Sequence, residues 1–259
     1  MRFRPCIDIH NGQVKQIVGG SLRDAGDYAR ENYVAEQNAV WFADFYKSHH
    51  LSGGHVILLN AADSPYYQAT KKEALSVLSA CPGMWQAGGG IREDNAPEFL
   101  RTGASHVIVT SWVFENGRIC MDRLRRLSEV TGPDRLVLDL SCRKKGDDYY
   151  IVTDRWQKFT DVKLCHETLD MLASYCSEFL IHAADVEGKC RGIEPDVVSV
   201  LGSWEGIPVT YAGGIGSLKD LEQIRLLGNG KVDVTVGSAL EIFGGNLPLQ
   251  EVLKQCEKC

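Results

Sequence analysis

The chain lacks the features that typically direct a protein to a membrane, a nucleic acid or a bound metal. No apolar run approaches bilayer-spanning length. The chain enters a predicted strand at residues 2–4, and we recognise no signal peptide. Lys and Arg number 28 against 34 Asp and Glu, and the net charge of −6 argues against nucleic acid or an anionic membrane as partner. The seven histidines form no HxH or HxxxH pair, so we predict no metal site.

Cysteine is present but in no disulfide-like pattern. The nine cysteines are an odd, scattered set, which predicts reduced thiols in the cytoplasm, or in a plastid stroma if the chain is a processed form. Cys256 and Cys259 make one CxxC at the C-terminal end, which we interpret as a frayed terminus rather than a metal or redox site.

Short motifs in the first half of the chain return in the same order in the second half. The repeated pairs are IDI at 7–9 and LDL at 138–140, LLNAAD at 58–63 and LIHAAD at 180–185, AGGGI at 87–91 and AGGI at 212–215, and VIVTS at 107–111 and VTVGS at 234–238. Four ordered matches exceed what chance similarity of apolar runs gives. We therefore predict two half-repeats, about 1–131 and 132–259, within a single domain spanning 1–259.

Apolar runs alternate with amphipathic segments along the chain. Strands are predicted near 3–9, 55–60, 84–87, 105–110, 135–140, 178–183, 208–212 and 232–236, and helices near 66–80, 94–102, 119–131, 166–177, 194–204 and 217–227. Eight strands alternating with helices predict an α/β fold, a (β/α)₈ TIM barrel built from two half-barrels. A doubly wound open sheet is the alternative, but four strands per half favour closure.

An aspartate ends the first predicted strand of each half. Strands one and five lie opposite each other in a barrel, so Asp8 and Asp139 should face each other across its C-terminal mouth. A single Asp there is more often a helix cap or a loop acceptor. A matched pair favours general acid–base catalysis, in which the acid needs a pKa above the ordinary value of about 3.9.

Glycine clusters and small hydroxyl residues follow four other predicted strands. Backbone N–H groups freed by glycine can bind phosphate, although a lone Gly-Gly is more often a tight turn. Two matched clusters predict two phosphate sites, opposite each other: Gly89 and Gly90 with Thr110 and Ser111, and Gly213 and Gly214 with Gly237 and Ser238. The layout suits a ligand with two anionic ends.

Five longer motifs resemble the histidine-biosynthesis barrels. They are PCIDIHNG at 5–12, VKQIVGG at 14–20, DLSCRK at 139–144, HAADVEG at 182–188 and FGGNL at 243–247, and the likeness covers nearly the whole chain. The chain looks most similar to the eukaryotic branch of the isomerases that convert phosphoribosylformimino-aminoimidazole-carboxamide ribotide to its ribulosyl form.

That resemblance implies an Amadori rearrangement of a bisphosphorylated aminoaldose to an aminoketose, without cofactor. We separately expect a monomer. One group must protonate the ribose ring oxygen and another must take the C2 proton; by resemblance, Asp8 is the base and Asp139 the acid. Trp156 would stack on the substrate's imidazole, although a Trp at that position could also cap an exposed loop. The remaining implied substrate contacts are Gly19, Gly20, Arg143, His182 and Glu187.

Two residues at and after the end of the sixth predicted strand depart from the common family pattern, as do Leu58 and Ser238. His182 stands where many members carry threonine, and Glu187 where an Asp is usual. His182 could orient Asp139 through a hydrogen bond, or it could be structural. Two other functions stay open: the related cyclase, which uses ammonia from a glutaminase partner, and a non-catalytic sugar-phosphate binder. Residues 141–144 and 156–157 favour the isomerase over the cyclase, and two retained aspartates argue against a mere binder.

A long polar stretch, 21–38, follows the first strand. It exceeds a minimal barrel connection and is interpreted either as a lid over the substrate or as a segment disordered without ligand.

Overall fold

The computed structural model describes residues 1–23 and 25–257. Its strands, in chain order, are β1 (Cys6–His10), β2 (Gln13–Ile17), β3 (Glu31–Val34), β4 (Gly54–Leu58), β5 (Trp85–Gly88), β6 (His106–Val109), β7 (Phe114–Glu115), β8 (Arg118–Ile119), β9 (Leu136–Asp139), β10 (Cys142–Lys145), β11 (Asp148–Thr153), β12 (Lys158–Lys163), β13 (Glu178–His182), β14 (Val209–Ala212) and β15 (Asp233–Thr235). The α-helices are α1 (Ala39–Ser48), α2 (Tyr67–Ala80), α3 (Ala96–Thr102), α4 (Met121–Thr131), α5 (His166–Ala173), α6 (Pro195–Ser203), α7 (Leu218–Leu227) and α8 (Leu249–Glu257).

Eight parallel strands form the barrel wall. Their order is β1, β4, β5, β6, β9, β13, β14 and β15, so the neighbours in space are also neighbours in chain order once the extra hairpins are set aside. The ring closes below β1, where Phe3 bridges Val234 and the Arg4 amide donates to the Val234 carbonyl at 2.7 Å. The (β/α)₈ barrel expected from the sequence is confirmed, and the open-sheet alternative is wrong.

Each predicted strand overlaps one barrel strand, and each predicted helix overlaps one observed helix. The first strand differs most: it begins at Cys6 rather than residue 3, because Phe3 makes only an isolated bridge. The helix predicted over 166–177 ends at Ala173, where Ser174 closes the last turn. Two helices, α1 and α8, were not predicted. Cys256, expected at a frayed end, is instead buried in α8, and Cys259 lies outside the described residues.

Antiparallel strands follow the first barrel strand of each half. β2 pairs with the end of β1, and β3 pairs with β2, so part of the 21–38 stretch is a strand. After β9 the chain makes a three-stranded sheet, β10–β11–β12, and Cys142 at its start bridges Ala183. Both additions stand at the C-terminal ends of the barrel strands, where the predicted site lies.

Side chains divide the barrel into an apolar shell and a layered interior. Between strands and helices lie fully buried aromatic and aliphatic residues, among them Trp85, Phe99, Leu124 and Phe179. The alternation of β13 shows the interior layers: Glu178 joins a polar network at the closed end, Leu180 joins a small apolar cluster, and His182 reaches the mouth. No helix within the described residues is long and apolar enough to cross a membrane.

Candidate active site

A cavity opens at the C-terminal ends of the barrel strands. It encloses about 540 Å³, space open to solvent included. Its walls come from β1, β2, β4, β13, β14 and β15 and from the loops that follow β13, β14 and β15. Seven of the predicted site residues line it: Asp8, His182, Glu187, Gly213, Gly214, Gly237 and Ser238. We call this space the mouth cavity.

Asp8 stands in the wall of the mouth cavity on β1. Its neighbours Ile7 and Ile9 are fully buried on the opposite face, so the strand's alternation turns the carboxyl inward. Loss of water contact, together with the negative charge of Glu187, raises the pKa of Asp8 to about 7 against the opposing effect of His182. A carboxyl with this pKa can take up or release a proton near neutral pH.

Asp139 ends β9, across the barrel from β1, and three side chains hold it. The Ser141 hydroxyl donates to Oδ1 at 2.7 Å, and the Thr110 hydroxyl donates to Oδ2 at 3.4 Å. Nδ1 of His182 lies 3.2 Å from the same Oδ2. Asp139 is only 8% exposed and is not among the residues that line the mouth cavity. Its carboxyl therefore contacts protein groups on both oxygens.

The negative charges of both aspartates, Asp139 and Asp8, act on His182. Desolvation is the largest single influence on its pKa and lowers it, but the charge and hydrogen bonding of Asp139, with Glu187 and Asp8, raise the pKa to about 9. The ring is therefore an imidazolium at neutral pH. Trp156 covers it on one side, with ring centroids 5.9 Å apart and planes inclined by 39°.

Glu187 brings a third carboxyl to the mouth cavity from the loop after β13. Burial raises its pKa, the positive charge of His182 lowers it, and Oε2 has no hydrogen-bond partner in the structure. A buried oxygen without a partner is costly unless a ligand supplies one. The carbonyl of Glu187 accepts from the Gly19 amide at 3.2 Å, which ties this loop to the end of β2.

One of the two predicted phosphate sites forms part of the cavity wall. Gly214 has a φ of 76°, and a Cβ there would stand 2.0 Å from the Gly192 carbonyl, so the turn requires glycine. Gly213 precedes it, and Gly237 and Ser238 line the adjoining wall. The Ser238 hydroxyl receives a hydrogen bond from Asn32 of β3 at 3.1 Å.

The other predicted phosphate site lies outside the walls of the mouth cavity. Gly89 and Gly90 adopt left-handed φ values of 100° and 69°, so the turn itself is as predicted. The Thr110 hydroxyl, however, is directed to Asp139, and the Ser111 hydroxyl accepts from the Asp154 amide at 3.1 Å. In this conformation Thr110 thus holds Asp139 and Ser111 holds the hairpin that carries Trp156.

The remaining predicted contacts lie at the rim. Arg143 pairs with Asp185 at 2.7 Å, and its Nη1 donates to the Trp156 carbonyl at 3.4 Å. Gly19 lies directly under Trp156, whereas Gly20 is exposed and has no neighbour within 4 Å of a Cβ position. Trp156 is half-buried rather than a cap on an exposed loop. The structure therefore brings Gly19 and Trp156 to the site but leaves Gly20 outside it.

Sequence reasoning missed several polar residues of the cavity. Gln16 of β2 is buried, its Oε1 lies 3.5 Å from the Ser238 hydroxyl, and its Nε2 has no partner. Thr235, Cys6 and His55 also line the walls. A strand over 13–17, which was not predicted, is the signal that would have found Gln16. Among the described residues no group of three or more His, Cys, Asp or Glu could hold a metal ion.

The fold and the site define a (β/α)₈-barrel protein with carboxyl groups and an imidazolium at its strand ends and glycine turns suited to anions. A family model described as "Histidine biosynthesis protein" matches residues 2–247. The chain belongs to this family of histidine biosynthesis proteins.

Several relatives share much of the sequence. The chain is 52% identical over 257 residues to the chloroplastic 1-(5-phosphoribosyl)-5-((5-phosphoribosylamino)methylideneamino)imidazole-4-carboxamide isomerase of Medicago truncatula, covering 98% of this chain and 81% of that protein. It is 47% identical to the isomerase of the same name from Neurospora crassa, covering 98% and 97%. The Saccharomyces cerevisiae isomerase is 46% identical over 95% of this chain and 94% of its own.

Proposed function

We propose that this chain is an isomerase with the same substrate that the names of its relatives give. It converts that bisphosphorylated aminoaldose to the corresponding aminoketose. The observation that carries the proposal is the placement of Asp8, with a pKa of about 7, across the barrel from the Asp139–His182 pair. An Amadori rearrangement needs proton transfer at two points of one sugar. A carboxyl and an imidazolium on opposite strand ends supply a base and an acid for those two points.

Asp8 acts as the base in this proposal. Its carboxylate takes the proton from C2 of the ring-opened sugar, and the electron pair of that C–H bond forms the C1–C2 double bond of an enolamine. The raised pKa of Asp8 makes it a stronger base than an ordinary carboxylate while it still ionises near neutral pH. Ring opening comes first and draws its proton from the Asp139 side of the mouth.

Two glycine turns bind the phosphates in this proposal, one at Gly213–Gly214 and one at Gly89–Gly90. The first already lines the mouth cavity. The second becomes a binding site when the hairpin carrying Trp156 shifts and frees the Ser111 hydroxyl that it now occupies. Because the chain carries a net charge of −6, local backbone dipoles must hold the phosphates against the overall field.

The protein needs no cofactor for this proton-transfer chemistry, and we propose that it acts as a monomer. Its compartment is also a proposal. Each cysteine in the described residues is free, which suits a reducing compartment such as the cytoplasm or a plastid stroma.

The direct test is conversion of the formimino aminoaldose by purified protein without ammonia, with the product separated by chromatography and its ketone carbon observed by ¹³C NMR. The proposal predicts a ketose of unchanged mass. Ammonia-dependent consumption of the ketose would instead identify the cyclase. Ligand binding without any conversion by well-folded protein would identify a sugar-phosphate binder.

A further inference from the structure

The imidazole of His182 stands between the Asp139 carboxyl and the mouth cavity. Its Nδ1 faces Asp139 at 3.2 Å, and its side chain lines the cavity, which Asp139 does not. The His182 side chain is 19% exposed and that of Asp139 is 12% exposed. No described hydrogen bond involves His182 Nε2, the ring nitrogen on the far side from Asp139.

Both oxygens of Asp139 are already engaged. Oδ1 accepts from the fully buried Ser141, and Oδ2 has Thr110 and His182 beside it. With protein groups beside both oxygens and no place in the wall of the mouth cavity, the Asp139 carboxyl does not face a bound sugar directly. A group that gives its proton to the substrate must reach it, and His182 lines the cavity where Asp139 does not.

We propose that His182, rather than Asp139, donates the proton that opens the sugar ring, and that Asp139 positions the imidazolium. This inference rests on the proposed isomerase function and assigns a catalytic role within it. His182 is then the acid itself, and Asp139 orients His182 rather than the reverse.

The proton and electron movements balance with these groups. His182 Nε2–H protonates the ring oxygen as the C1–O bond breaks toward that oxygen, and the nitrogen lone pair forms the C=N bond. Asp8 then takes the C2 proton and the enolamine forms. Finally the protonated Asp8 returns a proton to C1 while the C2 hydroxyl gives its proton to neutral His182. The product is the ketose, and both residues regain their starting states.

The charges around His182 suit this cycle. Asp139 of β9, Asp8 of β1 and Glu187 of the following loop favour the imidazolium, while His55 of β4 is held neutral with a pKa of about 3. The pKa of His182, about 9, leaves it protonated where Asp8, at about 7, has begun to ionise. The plot of kcat/KM against pH should therefore be bell-shaped, with limits near those two values.

The test compares His182→Gln with Asp139→Asn, using His106→Gln at the opposite end of the barrel as matched control. His182→Gln should lower kcat by roughly 10²- to 10⁴-fold, change KM little and abolish the alkaline limb of the profile. Asp139→Asn should retain more activity than His182→Gln and move the alkaline limb to lower pH, because the imidazolium loses its counter-charge. His106→Gln should match the wild type.

Four outcomes decide the matter. An alkaline limb and near-normal kcat in His182→Gln, with both lost in Asp139→Asn, would make Asp139 the donor and overturn the inference. A wild type that forms no ketose would end the proposed function and this inference together. If His182→Gln does not fold, ¹⁵N NMR of histidine-labelled wild type decides: titration of His182 near pH 9 supports the role, and titration below 7 contradicts it.

Discussion

At the scale of single residues, the reactive groups owe their properties to neighbours distant in the chain. Asp8 has a raised pKa because burial removes water and because Glu187, from the other half of the chain, adds a negative charge. His182 is an imidazolium because Asp139 lies 3.2 Å away. The sequence identified all four residues as site candidates, but it could not supply these pairings, which exist only once the strands meet around the barrel.

The raised pKa of Asp8 implies a cost in stability. An Asp in the unfolded chain titrates near 3.9, so between about pH 4 and pH 7 the folded state binds more protons than the unfolded state. Stability therefore falls as pH rises through this window. Asp8→Asn should raise Tm at pH 8 by roughly 2–4 °C for each kcal/mol gained, and the gain should vanish near pH 4.

Thermal melts of wild type and Asp8→Asn across pH 4–8 test this expectation. Asp44→Asn on α1, outside the cavity, serves as the control for loss of one carboxylate. A Tm difference that is independent of pH would show that Asp8 ionises in the folded protein as it does in the unfolded chain.

At the scale of elements, three loops meet over the cavity. The end of β2 places Gly19 beneath Trp156 and against Glu187, and a Cβ on Gly19 would stand 2.8 Å and 2.7 Å from them. Asn32 of β3 donates to the Gly188 carbonyl and to Ser238. The 21–38 stretch, of which all but residue 24 is described, therefore touches the rim, and we retain the lid as a prediction.

Gly19→Ala tests whether this close contact matters for turnover. The added methyl must push Trp156 and Glu187 away from the cavity, so kcat/KM should fall by roughly 10- to 100-fold while the fold is retained. Gly20→Ala is the matched control. It has open space for the methyl but a φ of 72°, so it should cost about 1–2 kcal/mol of stability with a smaller effect on kcat/KM.

Steady-state kinetics and urea unfolding of the two variants separate these effects. Equal losses of kcat/KM in both would mean that backbone strain, and not the contact with Trp156 and Glu187, governs the site.

Most barrel elements could be predicted because buried parallel strands have short apolar sequences. The internal repeat also supplied a matching motif in the other half of the chain. The three-stranded sheet after β9 was missed although its sequence carries a hairpin signal, Gly146 and two acidic residues between strand-forming runs. Helix α1 was missed because β2 and β3 lie between it and β1, so it does not directly follow a barrel strand as the other helices were expected to do. The sequence placed both glycine turns correctly. Whether a turn is enclosed in a cavity depends on loops that have no counterpart in the repeated sequence pattern.

At the scale of the whole molecule, each half contributes four barrel strands and begins with a strand that antiparallel strands follow in the chain. These additions, β2–β3 and β10–β12, both stand at the mouth. The single-domain division into 1–131 and 132–259 remains a prediction, but this arrangement is what two related halves would give. It sets Asp8 and Asp139 on the first strand of each half and the glycine turns on the third.

The closed end of the barrel is held by a buried charge network. Arg4 bonds Asp233 at 3.0 Å and Glu178 at 3.3 Å, and Glu178 also accepts from Gln86 and Thr210. Arg4→Leu leaves two buried carboxylates without this partner and should cost about 3–5 kcal/mol. Because the network lies away from the mouth, the folded variant should keep its kcat.

Urea unfolding measures this loss. Arg125→Leu on α4, which breaks an exposed pair with Asp122, should change stability by no more than about 1 kcal/mol. An Arg4→Leu midpoint equal to that of the wild type would show that the network does not stabilise barrel closure.

The most direct test of the isomerase account is the rate of ketose formation by wild type, Asp8→Asn and Asp139→Asn side by side, without ammonia and with the ketose separated and quantified by chromatography. The account predicts conversion by the wild type, a loss of roughly 10²- to 10⁴-fold in Asp8→Asn with unchanged folding, and a smaller loss in Asp139→Asn. No ketose from well-folded wild type, or full activity in Asp8→Asn, would contradict it.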